Sequence, residues 1–240
     1  METVTTRTVE YPADGLTMVG HLALPAGADR RPAVLLGPEG PGLNDFQRSR
    51  ADALAELGYV ALAFDLHGGR WFTDPDEMLA RCLPLLDDPD RLRDLGRAAL
   101  DVLLAEPRTD PGRIAGIGYG TGGAVVLELG RAGVDLRAIG TINGLVTGRP
   151  GEAANIRCPV WAGVGSEDPI MAAAQRDAFA AEMQDAGVDW RLTIYGGARH
   201  AFHHPPVDPE QRLVPGVGYH ERHAERAWRD VVALLAENLG

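Results

Sequence analysis

The sequence predicts an α/β fold, a mostly parallel sheet with helices on both faces and an N-terminal antiparallel hairpin. Three observations lead there. Six apolar runs lack the alternation of a half-exposed strand: Ala33 to Gly37, Tyr59 to Phe64, Ile114 to Gly118, Ala138 to Ile142, Val160 to Val164 and Arg191 to Tyr195. Strands buried on both faces read this way. Segments with helical spacing alternate with the runs, as βαβ units require. Ahead of them, Thr3 to Tyr11 and Thr17 to Leu24 alternate around Ala13-Asp14-Gly15 and are rich in β-branched residues, a hairpin signal.

The first helix is expected over Asn44 to Leu57, with Asn44 or Asp45 as cap and Gly58 as stop. Others follow over Pro89 to Glu106, Gly122 to Ala132, Met171 to Ala186 and Glu221 to Asn238, the last with Trp228 and Val232 on its inner face. Two irregular stretches, Gly68 to Pro75 and His203 to Gly218, are too short for domains and read as loops over a site. Residues 1–240 are expected to form one domain.

A net charge of −11 argues against nucleic acid or an anionic membrane as partner, since both select basic patches. A small-molecule substrate and a monomer or homodimer are expected. The N-terminus lacks the apolar core of a signal peptide, and no apolar run approaches a membrane span, so a cytoplasmic protein is expected. Cys82 and Cys158 are too few for a disulfide framework and read as packed thiols, Cys82 in a helical excursion. His220 and His223 have helical metal-ligand spacing without a third ligand, so no metal is expected, and no cofactor.

The chemistry gathers at strand ends, where doubly wound sheets bind ligands. Arg113 to Gly118 runs into Tyr119-Gly120-Thr121-Gly122-Gly123 and then a helix. This is the strand, turn and helix in which α/β-hydrolases present a nucleophile. The central position is Gly120, which has no side chain to attack with. Asp168 follows the Val160 run and His200 follows the Arg191 run, giving the hydrolase order of nucleophile position, acid and histidine. A histidine so placed moves protons, and the carboxylate fixes its tautomer. Glycines after the first parallel strand suit close approach to a substrate, so the amides of Gly40 and Thr121 are the candidate oxyanion donors. Glu39 sits beside them and can hold or exchange a proton.

In this order and spacing the motifs resemble the dienelactone hydrolase family of α/β-hydrolases over nearly the whole chain. The resemblance rests on the hairpin leading to Leu24-Pro25-Ala26, the Glu39 loop, Leu54 to Val60, Phe64-Asp65-Leu66, Arg113 to Tyr119, Gly165 to Pro169 and Gly196 to Phe202. It implies hydrolysis of small esters or lactones without metal or cofactor. By position it assigns Gly120 to the nucleophile, Asp168 to the acid, His200 to the base and Glu39 to the carboxylate that contacts a resting thiol. Arg70 falls near a place where relatives hold a substrate carboxylate. Where a second basic contact is expected, the chain has His203 and His204. Trp71, Phe72 and Asn143 complete the candidate substrate contacts.

Three functions remain open on the sequence. The first is an ester or lactone hydrolase whose nucleophile was replaced by Gly120, by design or naturally. A second is a non-covalent general-base enzyme, such as a cyclase, dehydratase or isomerase, working through His200 and Asp168. The third is a silent ligand-binding relative.

Overall fold

The computed structural model describes residues 3–144, 148–205 and 215–240. Part of the predicted His203 to Gly218 loop therefore lies outside the described residues. The hairpin forms from β1 (Thr5–Ala13) and β2 (Leu16–Leu24). Its two-residue turn places Asp14 at φ 51° and Gly15 at φ 72°, as the twist of a tight hairpin demands. The Asp14 carboxylate receives Arg81 at 2.6 Å and Arg91 at 2.6 and 2.8 Å. Those hydrogen bonds, against a smaller cost of burial, lower its pKa.

The remaining strands are β3 (Arg31–Gly37), β4 (Val60–Ala63), β5 (Thr109–Tyr119), β6 (Ala138–Ile142), β7 (Val160–Gly165) and β8 (Trp190–Tyr195). Together the eight form one sheet in the order β1-β2-β4-β3-β5-β6-β7-β8. Pairings β1·β2 and β2·β4 are antiparallel and the other five are parallel. Alternate strand residues enter two cores. Leu35, Leu62 and Ile114 face one with Leu92, Leu95, Val125 and Phe179, while Val34, Ala61 and Ile117 face the other with Leu54, Val231 and Leu234. Both faces are thus covered, which is why the runs carry no polar alternation.

Helices α1 (Asp45–Glu56), α3 (Pro89–Ala105), α4 (Thr121–Arg131), α5 (Ala173–Asp185) and α6 (Glu221–Leu239) fall where the periodicity predicts. Asn44 caps α1 in a reciprocal capping box with Gln47. Two local readings change. A full helix, α2 (Pro75–Leu86), follows the Gly68 to Pro75 loop, with Asp74 accepting from the Asp76 and Glu77 amides. Pro84 inside it disguises the element, because a proline at that point reads as a break. On α6 the buried face runs through Ala224, Ala227, Val231, Leu234 and Leu235. Trp228, half-buried, packs at the edge of the core and lies under Arg50 at 4.6 Å, whereas Val232 is half-buried and joins neither core.

Helix α4 is buried along its whole length. Its first turn is pressed against β3 and β5: a Cβ on Gly122 would fall 2.3 Å from the Gly37 carbonyl carbon, and one on Gly118 2.3 Å from Gly122. Only glycine fits in that contact, and it sets the β5–α4 turn against the strand ends.

Candidate active site

Strand β5 enters α4 through Gly120, whose backbone stands at φ 49°, ψ −117°. Left-handed φ of this kind costs little in glycine and strains other residues. Three hydrogen bonds hold the turn: Gly120 N–H to Ile142 O at 2.9 Å, Gly122 N–H to Pro38 O at 2.7 Å and Ala124 N–H to Gly120 O at 3.1 Å. A Cβ at residue 120 would meet nothing closer than Glu39 Cα at 3.7 Å and Gly40 N at 3.8 Å. The position has room for a side chain, with the Gly40 amide next to it.

Gly40 is fixed through its carbonyl, which accepts from His67 Nε2 at 2.8 Å and from the Cys82 thiol at 3.1 Å. Its own N–H and that of Thr121 have no acceptor among the described residues. As the first residue of α4, Thr121 has no intrahelical acceptor either. Two amides are therefore free to receive a negatively charged oxygen beside Gly120.

The loops after β7 and β8 are stitched together by Ser166 N–H to Tyr195 O, Glu167 N–H to Ala198 O and Gly197 N–H to Ser166 Oγ. They bring His200 Nδ1 within 2.8 Å of Asp168 Oδ2. Asp168 Oδ1 accepts from the Ile170 and Met171 amides at 2.8 and 2.9 Å, so the carboxylate is held at both oxygens. Burial raises its pKa, but the His200 hydrogen bond and charge and the two amides outweigh that and lower it. An Nδ1–H donated to this carboxylate leaves Nε2 as the basic nitrogen of His200. The His200 backbone is fixed as well, N–H to Gly216 O at 3.1 Å and C=O from Gly218 N–H at 3.0 Å.

Glu39 is buried with Oε1 3.1 Å from His203 Nε2 and Oε2 3.6 Å from His204 Nε2. Burial pushes its pKa up, yet His203, His204 and His200 around it hold it down to about 2. Burial in turn lowers His203 against the pull of Glu39. The two tendencies oppose each other, and the ionised carboxylate is the better supported, because Glu39 faces three imidazoles. His203 Nε2 lies off the hydrogen-bond direction despite its proximity, and the ring stacks on Tyr119 at 4.6 Å. His204 donates from Nδ1 to Pro205 O at 2.6 Å, leaving Nε2 to accept from Asn44 Nδ2 at 2.9 Å.

A cavity of about 320 Å³ opens over the β5–α4 turn and brings together Glu39, Gly40, Trp71, Phe72, Gly120, Thr121, Asn143, His200 and His204. Asn143 is almost wholly buried at φ 54°, and neither Oδ1 nor Nδ2 has a partner among the described residues. A buried amide left unpaired is costly and points to something that completes it. Of the three non-glycine residues with left-handed φ among the described residues, Asn143 and Ala201 both line this cavity. Strain concentrated there fits a functional site.

Two expected contacts are not brought to the cavity. Arg70 is exposed, paired with Glu77 and laid over Phe72 at 4.3 Å, because the Gly68-Gly69 turn carries it outward. His203 lies behind Glu39 and does not line the cavity. Conversely, α2 supplies a wall that sequence reading missed, including Met78, Leu79, Leu83 and Cys82. Cys82 read as packing; its thiol, raised in pKa chiefly by burial, sits against Gly40 and Thr121. The signal available was the spacing of Met78, Leu79, Cys82, Leu83 and Leu86 along one helical face. Among the described residues no cluster of three or more His, Cys, Asp or Glu can hold a metal ion.

The arrangement has near relatives. A solved structure named m3DLH is 37% identical, covering 99% of this chain and 100% of that one, with a TM-score of 0.92. A dienelactone hydrolase-like promiscuous phosphotriesterase from metagenomic libraries is 32% identical, with the same coverages and TM-score. A carboxymethylenebutenolidase from Pseudomonas sp. (strain P51) is 32% identical across 65% of this chain and 68% of its own length. The dienelactone hydrolase family matches residues 18–239. With an eight-stranded, mostly parallel sheet, an antiparallel N-terminal pair and that match over nearly its whole length, the chain belongs to the dienelactone hydrolase family.

Proposed function

We propose that this chain hydrolyses a small ester or lactone using water activated by His200, with Gly120 leaving the attack to that water. The observation that carries the reading is the convergence on one point: an Asp168-held imidazole, two free amides and an elbow turn, all lining one cavity. His200 Nε2 removes a proton from water as the water oxygen bonds to the substrate carbonyl carbon. The carbonyl electron pair moves onto oxygen, where the Thr121 and Gly40 N–H groups receive it. When C=O re-forms, the ester or ring C–O bond breaks, and the departing oxygen takes the proton from the His200 imidazolium. Asp168 stabilises that imidazolium throughout. Asn143 offers its unpaired carboxamide to the water or to the substrate.

Relatives named for lactone substrates support the substrate class. One from Bradyrhizobium sp, named a probable 2-oxo-3-(5-oxofuran-2-ylidene)propanoate lactonase, is 27% identical over 99% of this chain. The test installs a nucleophile. Gly120→Cys and Gly120→Ser are assayed on short aryl esters and lactones beside the Gly120 protein and its His200→Ala variant. The Gly120 protein is expected to show slow turnover that needs His200, and a side chain at 120 is expected to raise it. Turnover that survives loss of His200, or no activity in any of the variants, contradicts the reading.

A further inference from the structure

The cavity that carries the proposed hydrolysis has an unusual rim. Of the eight exposed large hydrophobic side chains among the described residues, four line it: Leu79, Leu83, Ile170 and Tyr219. Single exposed apolar residues are ordinary, but half of them gathered at one mouth is not. Leu79 and Leu83 are one helical turn apart and present a continuous edge of α2.

The charges at the cavity run the other way from those an anion needs. The chain contains no lysine, so all 23 of its basic side chains are arginines, and none lines the cavity among the described residues. Two arginines whose chain neighbours line it are engaged elsewhere, Arg70 with Glu77 and Arg81 with Asp14. Two carboxylates, Glu39 and Asp74, do line it. A substrate carboxylate placed here would lose water, meet no arginine among the described residues but only the His200 and His204 imidazoles already turned to Asp168 and Glu39, and face like charge.

We infer that the substrate is an uncharged ester or lactone with a hydrocarbon arm, which packs against Leu79, Leu83, Ile170 and Tyr219. This rests on the hydrolase reading for the reacting end and on the rim alone for the arm. Non-hydrolysable ketones separate the two. 2-Butanone, 2-hexanone, 2-octanone and 7-oxooctanoate, the carboxylated counterpart of the last ketone, are titrated calorimetrically against the intact protein. Affinity is expected to rise by up to about fourfold per added methylene. 7-Oxooctanoate is expected to bind about tenfold or more weakly than 2-octanone, because its carboxylate finds no arginine among the described residues of the cavity. Leu83→Arg changes a side chain 53% exposed on the helix surface, so the fold is not at risk. It should weaken 2-octanone and bring 7-oxooctanoate to within a few fold of it.

Affinity independent of chain length, or 7-oxooctanoate binding as tightly as 2-octanone, overturns the inference. Ester hydrolysis without chain-length dependence removes the hydrocarbon arm and leaves the hydrolase reading standing. Chain-length-dependent binding without hydrolysis of any ester supports the arm and removes the hydrolase reading.

Discussion

The two sides of the cavity are built on different principles. Its floor is made of short turns at the ends of β3, β5, β6, β7 and β8, tied by hydrogen bonds that leave the Gly40 and Thr121 N–H groups and the Asn143 carboxamide unpaired among the described residues. Its wall is one face of α2, fixed by apolar packing and by the arginines that tie α2 and α3 to Asp14. A floor tied by hydrogen bonds suits proton transfer. A wall of this kind accepts many shapes and suits selection by hydrophobicity. Under the proposed hydrolysis, chemistry and specificity are therefore separable, and substitutions on one side should leave the other largely intact.

The largest expected effect lies on the floor. His200→Ala should lower kcat/KM for aryl ester hydrolysis by about 10²–10⁴-fold, the span of a lost general base. 2-Octanone affinity should change little, and a parallel loss of both would end the separation. Gly122→Ala attacks the seat of the elbow. Its Cβ would lie 2.3 Å from Gly37 C and 2.5 Å from Pro38 O, both backbone atoms. A stability loss of about 3 kcal/mol or more is expected by denaturant titration, and a small one would mean that α4 can shift away from β3.

Asn143→Gly comes next. Glycine accepts the φ of 54° and removes a carboxamide that no described residue pairs. Stability should hold or rise, while kcat/KM falls about tenfold; an unchanged rate would place Asn143 outside the reaction. The smallest effect concerns pH. Glu39 is held at about 2 against an ordinary 4.5, so its ionisation favours the folded state. That contribution is complete above 4.5 and is lost as pH falls toward 2. Asp168, also lowered, acts in the same direction. Glu39→Gln should flatten the fall of Tm between pH 4.5 and 2, and an unaltered slope would assign acid sensitivity elsewhere.

The same division explains what the sequence disclosed. The parallel strands were legible as unalternating apolar runs, and the Gly120 turn, Asp168 and His200 could be located because each follows one of them, where a strand end has few places to put a side chain. Arg70 was misplaced because two glycines, Gly68 and Gly69, both at left-handed φ, redirect the chain after β4. Spacing alone does not reveal that turn. His203 and His204 are adjacent yet face different surroundings, one behind Glu39 and one at the cavity. Around Cys82 the sequence showed only a helical excursion; Pro84 hid the full length of α2, and with it the place of Cys82 in the wall. Periodicity reports burial against a core, whereas α2 spends much of its apolar face on a cavity.

The proposed hydrolysis puts carbonyl chemistry over Gly120 without a covalent intermediate. It is tested most directly by quenching single turnovers of an aryl ester and weighing the intact protein. The account predicts no adduct on the Gly120 protein while product forms, and an acylated protein in the Gly120→Cys variant. An acyl group found on the Gly120 protein, at Cys82, Thr121 or elsewhere, would contradict it.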